Sequence, residues 1–251
     1  MKDPKGIKTY FSDQESDNRQ KLLELFENCP IPKDQILNNL ALFLSSKDLS
    51  RILFMEHIYK QIIDVQGVIM DFGTRWGQNL AIFQSLRGLY EPFNRHKKII
   101  GFDTFKGFPS LSPKDGRSDL MKLGNTATTK DYVKYLDELM TSQEKLNPLS
   151  HIKKYELRVG DSSKEIDKYL KENPHTIIAL AYFDFDIYLP TKKCLDAIKP
   201  RLVKGSILAF DELNDPDSPG ETVALMESWG LNNIRLKRYP LTSRTSYFVV
   251  E

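Results

Sequence analysis

Short apolar runs alternate with longer amphipathic stretches from Gly67 onward, and this alternation limits the possible folds more than any other feature. Five runs predict β-strands, at 67–72, 97–102, 155–159, 176–184 and 205–211. The stretches between them predict helices, at 77–89, 129–141, 162–172 and 190–199. Strands that alternate with helices pair in parallel through right-handed crossovers. The pattern therefore predicts an α/β domain built on a parallel sheet.

The last two apolar runs, at 233–238 and 245–250, are not separated by a helical stretch. Only a few residues separate them, Pro240 among them, and this connection is too short for a crossover helix. They predict an antiparallel hairpin at the sheet. We therefore expect a seven-stranded, mostly parallel sheet whose last strand is antiparallel.

The segment before the first strand predicts only helices. Residues 1–17 are polar and predict a loose arm, and helical patterns follow at 18–28, 33–44 and 47–64. We expect a helical N-terminal extension over residues 1–64 that packs on a main domain over residues 65–251.

Composition excludes several classes of protein. The chain has 251 residues, with 36 Lys and Arg against 34 Asp and Glu, and so a net charge of +2. Near balance argues against a broad basic face for nucleic acid. No apolar run approaches the ~20 residues of a membrane helix, and the N-terminus has no apolar signal core. Cys29 and Cys194 form no C-x-x-C pair, so we expect two buried or idle thiols in a reducing cytoplasm. We expect neither nucleic-acid nor membrane partners.

Candidate site residues begin where the first strand ends, because open α/β sheets bind ligands outside the carboxyl ends of their strands. The turn reads DFGTRWG, and its glycines let the backbone approach a ligand while the next helix points free N–H groups at it. An acid-x-G-x-x-x-G turn is typical of S-adenosylmethionine (SAM) sites, although a plain strand-to-helix turn has the same pattern. The candidate cofactor residues here are Asp71, Phe72, Gly73, Thr74 and Gly77.

The second and third strands end in further acids. Asp103 lies 30 residues after Gly73, a spacing at which a carboxylate can accept hydrogen bonds from two ribose hydroxyls. A helix cap or a surface role is the alternative for Asp103. Asp161 could bond an adenine amino group, could cap the following helix, or could do both. The candidate cofactor residues on this side also include Thr104, Phe105, Gly160 and Ser162.

Three carboxylates follow the fourth and fifth strands. Asp184 and Asp211 are 27 residues apart with one helix between them, and Glu212 follows directly. At one edge of neighbouring parallel strands these side chains would repel each other unless a cation neutralised them. Mg²⁺ prefers such oxygen ligands, and a metal beside a hydroxyl lowers its pKa. The sequence predicts a Mg²⁺ site at Asp184, Asp211 and Glu212, with helix caps and loop solvation as the alternative.

Residues 104–128 predict neither strand nor helix. A connection of this length is uncommon in a compact domain, and it follows directly on the acidic end of the second strand. We expect it to form a lid over the site.

Four segments, in order and with their spacing, resemble the macrocin O-methyltransferase family: GVIMDFGTRWGQNL, GFDTFKGFP, YFDFDIYLPT and KGSILAFDEL. The resemblance covers about residues 65–225. It implies the class I SAM-methyltransferase fold, with SAM and Mg²⁺ as cofactors. It implies methyl transfer to a hydroxyl of a sugar, sugar nucleotide or glycoside, and a homodimer or larger homo-oligomer. It also implies that Asp184 contacts the cofactor and serves as the general base.

The chain departs from the family pattern at three points. Glu212 stands where the family has a second Asp, Lys204-Gly205 where it has two glycines, and Phe185 where it has a glycine. Two other functions stay open. A decayed SAM-binding protein would fit if Glu212 abolished metal binding. A small-molecule hydroxylase would need a redox metal, usually with histidine ligands, and the four histidines show no ligand spacing.

Overall fold

The computed structural model, which describes residues 12–251, places all seven strands in one sheet with the order β3-β2-β1-β4-β5-β7-β6. The strands are β1 (Val68–Phe72), β2 (Ile99–Asp103), β3 (Tyr155–Val159), β4 (Ile178–Phe183), β5 (Leu202–Phe210), β6 (Lys237–Arg238) and β7 (Ser246–Val249). The pairs among β1 to β5 are parallel, whereas β7 is antiparallel to both β5 and β6. The predicted sheet is confirmed.

Seven α-helices accompany the strands in residues 12–251. They are α1 (Asp13–Glu27), α2 (Ser46–Lys60), α3 (Gln78–Tyr90), α4 (Tyr132–Glu144), α5 (Ser162–Glu172), α6 (Tyr188–Ile198) and α7 (Gly220–Trp229). Helix α7 was not predicted from the sequence. The segment predicted as a helix at 33–44 is a 3-10 helix, Ile36–Phe43. No described helix is long and apolar enough to cross a membrane.

The first helix begins earlier than the sequence pattern indicated. A capping box, in which Ser12 and Glu15 exchange hydrogen bonds, starts α1 at Asp13. Residues 13–17 of the predicted loose arm are therefore helical. The rest of that prediction, residues 1–11, lies outside the described part of the chain.

Two apolar layers cover the sheet, one on each face. Helices α5, α6 and α7 pack on one face through side chains such as Ile166, Leu195 and Leu225. Helices α2, α3 and α4 pack on the other, through side chains such as Phe83 and Leu136. Both faces of the parallel strands are buried, as such sheets require.

The helices before β1 make two different kinds of contact. Helix α2 buries Phe54, Met55, Ile58 and Tyr59 in the same core layer as α3 and α4. Helix α1 and the 3-10 helix contain no buried residue. Helix α2 is thereby fixed against the sheet, and the division between 1–64 and 65–251 stays a prediction.

A row of phenylalanine rings crosses the sheet near the carboxyl ends of its strands. Phe72 stacks on Phe102 and on Phe183, with ring centroids 4.9 and 4.8 Å apart. Phe183 in turn stacks on Phe210 at 5.1 Å. These residues are register partners in neighbouring strands. We call these four stacked rings the apolar floor. The residues that directly follow them lie at one common level above it: Gly73, Asp103, Asp184 and Asp211.

Candidate active site

A cavity of about 400 Å³ opens above this row of rings. It is where the carboxyl ends of β1, β2, β4 and β5 meet the start of α5. Nine of the predicted site residues line it: Gly73, Thr74, Asp103, Thr104, Asp161, Ser162, Asp184, Asp211 and Glu212. Residues at the ends of five strands are brought together in one cavity, while their individual roles stay predictions.

Four predicted residues lie outside the cavity wall. Phe72 is part of the apolar floor, and Phe105 packs in the core layer of α2, α3 and α4. Gly77 caps α3 in the left-handed conformation, with φ of 77°. The N–H of Gly160 donates to the Asp103 carbonyl at 2.9 Å. These residues shape the backbone around the cavity.

Asp71, the acid of the first turn, also lies behind the cavity wall and is fully buried. Its Oδ1 accepts a 3.2 Å hydrogen bond from Nδ2 of Asn79, a cavity-lining residue, whereas its Oδ2 has no partner. Burial raises the pKa of Asp71 to about 6, against the effect of its hydrogen bonds. Asp71 therefore orients Asn79 rather than facing the cavity itself.

The glycine of the first turn is required by close backbone packing. Gly73 has φ of 95°, and a Cβ there would lie 2.0 Å from the carbonyl oxygen of Asp184. The backbone N–H of Asp184 donates to the Phe72 carbonyl at 2.8 Å. The β1 turn and the end of β4 are thus in direct contact at the cavity.

Asp103 and Asp161 are both held by backbone N–H groups. Asp103 accepts from the N–H of Arg75 at 2.7 Å and of Phe105 at 2.5 Å. Burial nevertheless raises the pKa of Asp103. Asp161 is the N-cap of α5 and accepts from the N–H of Ser163 at 3.1 Å. Asp161 is therefore a helix cap, one of the two roles considered from the sequence, and it also lines the cavity.

Arg51 of helix α2 joins the carboxylates of β4 and β5. Its Nη1 lies 3.3 Å from Asp184 Oδ2, and its Nη2 lies 3.0 Å from Asp211 Oδ1. Nη1 also donates to Asn79 Oδ1 at 3.0 Å. The Tyr182 hydroxyl donates to Asp211 Oδ1 at 2.7 Å. Helix α2 thus supplies a cation to the centre of the site.

A second arginine, Arg244 from the loop between β6 and β7, neutralises Glu212. Its Nη2 lies 2.6 Å from Glu212 Oε1 and 3.9 Å from Asp211 Oδ2. Its Nη1 pairs with Asp215 at 2.6 Å. These carboxylates draw the pKa of Arg244 upward against the effect of desolvation.

The acids of the site outnumber its two arginines. The pKa values of four of these acids are raised. Burial, with the charge of Asp211, raises the pKa of Asp184 to about 8. Burial raises the pKa of Asp186 to about 7 and raises that of Glu212 and Glu221 well above the usual range. Glu221 Oε1 accepts the N–H of Phe185 at 2.8 Å. The site therefore retains protons near neutral pH.

The predicted Mg²⁺ ligands do not fit a metal ion in this arrangement. Arg51 lies across Asp184 and Asp211, and Glu212 is turned to Arg244. Among residues 12–251, no group of three or more His, Cys, Asp or Glu side chains is arranged to hold a metal. The structure gives the Mg²⁺ prediction no support.

Several cavity residues were not predicted. Lys47, Asp48 and Arg51 come from α2, and Arg244 comes from the loop before β7. An arginine on an amphipathic helix is ordinarily a solvated side chain, so nothing local marks Arg51. Asp186 was visible in the run YFDFD but was assigned no role.

The long connection at 104–128 contributes one wall of the cavity. Gly107, Phe108 and Pro109 line the cavity, and the N–H of Phe108 donates to the Asn125 carbonyl at 3.1 Å. The buried carboxylate of Asp115 accepts the backbone N–H of Tyr188 at 2.5 Å. The connection is thereby tied to α6 beside the site, and its movement as a lid stays a prediction.

Neither the protein-family models nor the curated proteins compared with the chain gave a match. Solved structures do match. A structure of CalS11, described as a calicheamicin methyltransferase, is 42% identical, covering 96% of this chain and 94% of that chain, with a TM-score of 0.94. An apo structure of CalS11, described as a TDP-rhamnose 3′-O-methyltransferase of calicheamicin biosynthesis, is 39% identical, covering 96% of both chains, with a TM-score of 0.85.

A more distant structure shares the fold alone. The O-methyltransferase NovP is 14% identical, covering 80% of this chain and 79% of that chain, with a TM-score of 0.59. The predicted class I SAM-methyltransferase fold is confirmed. With 42% identity to CalS11 over nearly the whole of both chains, this protein belongs to the SAM-dependent O-methyltransferases.

Proposed function

We propose that this enzyme transfers the methyl group of SAM to a hydroxyl of a sugar nucleotide, with Asp184 as the general base. The observation that carries the proposal is the likeness to a TDP-rhamnose 3′-O-methyltransferase over 96% of both chains. The cavity at the strand ends contains Asp184, the side chain that we propose as the base. The finer resemblance to the macrocin O-methyltransferase family, noted in the sequence, is compatible with this acceptor class.

The strand ends would divide the work of binding SAM. Asp103 would accept hydrogen bonds from the ribose hydroxyls. The backbone N–H groups of Arg75 and Phe105, which hold its carboxylate at the cavity wall, support this role. The Gly73 turn would carry the amino-acid half of the cofactor. Asp161 and Ser162 would lie on the adenine side. Two reactants held in line supply most of the rate enhancement in such a transfer.

The transfer itself needs one base. The acceptor oxygen attacks the methyl carbon, the bond from that carbon to sulfur breaks, and the sulfonium sulfur keeps the electron pair. The hydroxyl proton passes to the Asp184 carboxylate. Because burial and the charge of Asp211 raise the pKa of Asp184 to about 8, the deprotonated form that acts as the base increases as pH rises from ~7 to ~9. No step is assigned to Mg²⁺, because Arg51 lies between Asp184 and Asp211.

The cavity also offers cations for the diphosphate of a sugar nucleotide. Lys47 and Arg75 both line it, and Nε of Arg75 is buried without a hydrogen-bond partner. Guanidinium groups bind phosphate oxygens with two parallel hydrogen bonds. We propose that Arg75 contacts the diphosphate.

A hydroxylase would need different ligands. No His or Cys is among the described residues that line the cavity, and His57 is bonded to Tyr247 at 2.8 Å outside it. Redox metals in hydroxylases usually take histidine ligands. The methyltransferase is the function that these residues favour.

Self-association stays part of the proposal. Helix α1 and the 3-10 helix bury no residue, yet Leu37 and Leu42 of the 3-10 helix are 77% and 65% exposed. Apolar side chains clustered in this way are typical of a protein interface. We expect the N-terminal segment to contact a second copy of the chain.

The experiment is a transfer assay with deuteromethyl-labelled SAM and TDP-rhamnose, read by mass spectrometry. The proposal expects one deuteromethyl group on the sugar and loss of turnover in Asp184→Asn. A protein that binds SAM but modifies no sugar nucleotide would overturn the acceptor assignment. If it also transfers no methyl to other hydroxyl compounds, the catalytically decayed SAM-binding protein becomes the better account.

A further inference from the structure

Trp76 is one of two tryptophans in the chain, and no step of the proposed reaction uses it. It lines the cavity at the strand ends, between Arg75 and the Gly77 cap of α3. The residue is 42% exposed, whereas the other tryptophan, Trp229, packs against Phe248 with ring centroids 5.5 Å apart. Because tryptophan is highly buried in most proteins, an open indole at a cavity wall is available to a ligand.

The backbone on both sides of Trp76 is fixed. Arg75 has φ of 45°, a left-handed conformation that residues other than glycine rarely adopt, and its N–H donates to Asp103 at 2.7 Å. The N–H of Gly77 donates to the Thr74 carbonyl at 2.7 Å. The direction of the Cα–Cβ bond of Trp76 is therefore determined by the turn.

Tyr132, the first residue of α4, holds the indole of Trp76 from one side. Its hydroxyl donates to the Trp76 carbonyl at 2.9 Å, and the two rings meet edge to face, with centroids 4.8 Å apart and planes at 89°. Aromatic pairs favour this T-shaped geometry. The indole is thus held in place before a ligand arrives, so a ligand that stacks on it orders little of the protein.

We propose that Trp76 is the stacking surface for the nucleobase of the sugar-nucleotide acceptor. The proposal rests on the proposed function, because it takes a nucleoside diphosphate as part of the acceptor. Cζ of Arg75 lies 5.9 Å from the centroid of the indole, so a diphosphate bound by Arg75 would lie beside the ring. A single ribose joins a nucleobase to its diphosphate. Nucleobases of every kind stack on aromatic side chains.

The adenine of SAM is the other base of the proposed reaction, and its proposed position lies elsewhere. Asp161 and Ser162, on the adenine side, are at the start of α5. Helix α5 covers one face of the sheet, whereas α4, which holds Trp76 through Tyr132, covers the other. The indole is therefore attached to the face opposite the adenine side, where it remains open to the acceptor.

Trp76 can report on its own contacts, because the chain has only one other tryptophan. In Trp229→Phe, all tryptophan fluorescence comes from Trp76, and an aromatic ring is kept against Phe248. We expect TDP to quench this fluorescence when it is excited at wavelengths where thymine does not absorb. Pyrophosphate, which supplies the diphosphate without a base, should leave the fluorescence unchanged. Equal quenching by the two compounds, or none by TDP at saturation, would overturn the proposal.

A second measurement leaves Trp229 in place. By calorimetry, Trp76→Leu should bind TDP about tenfold more weakly than the wild type, because the stacking contact is lost. Trp76→Phe, which keeps an aromatic ring, should recover part of this loss. Phe93→Leu is the matched control, since Phe93 is 75% exposed outside the cavity lining, and its TDP affinity should equal that of the wild type.

A parallel titration with S-adenosylhomocysteine separates this proposal from the proposed function. Trp76→Leu should bind S-adenosylhomocysteine with nearly the affinity of the wild type. A variant with unchanged TDP affinity, or with a loss that falls on S-adenosylhomocysteine instead, would overturn the stacking role alone. A wild-type protein that binds S-adenosylhomocysteine but not TDP would overturn the acceptor class of the proposed function.

Discussion

The turn at Gly73 packs against Asp184 so closely that a methyl group on its Cα would lie 2.0 Å from the Asp184 carbonyl oxygen. This contact joins the turn after β1 to the proposed base after β4. The positions of the cofactor turn and of the base therefore depend on one another.

Gly73→Ala should destabilise the fold by about 3 kcal/mol, because the clash adds overpacking to the strain of a left-handed backbone. Gly124→Ala is the control, since Gly124 has φ of 75° but its nearest atom to a new Cβ is 4.0 Å away. The control should lose only about 1 kcal/mol. Chemical denaturation of both variants measures the difference, and equal losses would contradict the packing argument.

Asp184→Asn should lower kcat by about 100-fold or more, the usual contribution of a general base. Asparagine keeps the shape but cannot take the hydroxyl proton. Binding of S-adenosylhomocysteine should be retained within a few-fold. Asp196→Asn, on the exposed face of α6, serves as the control. Undiminished turnover in Asp184→Asn would assign the base to another residue.

The stability of the ligand-free protein should fall as pH rises from ~4 to ~7. The pKa of Asp71 is raised to about 6 in the folded protein, so the folded state binds more protons than the unfolded state between pH ~4 and ~6. The stability that this proton gives is complete below pH ~4 and is lost as pH passes 6.

Asp71→Asn should reduce this loss of folding stability with rising pH by roughly 2 kcal/mol. The exposed Asp167→Asn should leave the pH profile unchanged. Thermal unfolding across this pH range, in buffer with EDTA, provides the measurement. A wild-type profile that rises with pH would contradict the burial effect.

Arg75→Ala should raise KM for TDP-rhamnose about tenfold, because a charge-assisted hydrogen bond to a phosphate oxygen is lost. The affinity for S-adenosylhomocysteine should change little, since the bond to Asp103 comes from the backbone of Arg75. Arg117→Ala, at an exposed position outside the cavity lining, is the control. Steady-state kinetics of both variants provides the measurement. A KM for TDP-rhamnose that stays at the wild-type value in Arg75→Ala would contradict the proposed contact with the diphosphate.

The double substitution Leu37→Asp and Leu42→Asp should convert an oligomer into a monomer, because it places charges in the exposed apolar surface of the 3-10 helix. Light scattering after size-exclusion chromatography reads the mass. Leu146→Asp is the control, since Leu146 is 86% exposed at a different place in the chain. A wild-type chain that is already monomeric would contradict the predicted self-association.

The strand ends were predictable because each combines an apolar run with an acid or glycine directly after it. Phe72, Phe102, Phe183 and Phe210 share one level in the sheet, so local pattern and parallel pairing together determine which side chains meet. The same logic brought Asp184 and Asp211 to one cavity. Strand register was the only long-range information needed.

The cations of the site were not predictable in this way. Arg51 and Asp211 are 160 residues apart, and their contact depends on how α2 packs across the sheet. That packing is decided by buried side chains such as Phe54 and Tyr59, which carry no sign of a site. The sequence therefore indicated uncompensated carboxylates and led to a predicted metal, where the fold supplies Arg51 and Arg244.

The most direct test of the central claim is calorimetric titration of the wild-type protein and of Asp103→Asn with S-adenosylhomocysteine. The account predicts one site per chain with micromolar affinity in the wild type. It predicts at least about tenfold weaker binding in the variant, because one carboxylate oxygen is replaced by an amide donor beside the ribose. No binding to the wild type, or equal affinity in both proteins, would contradict it.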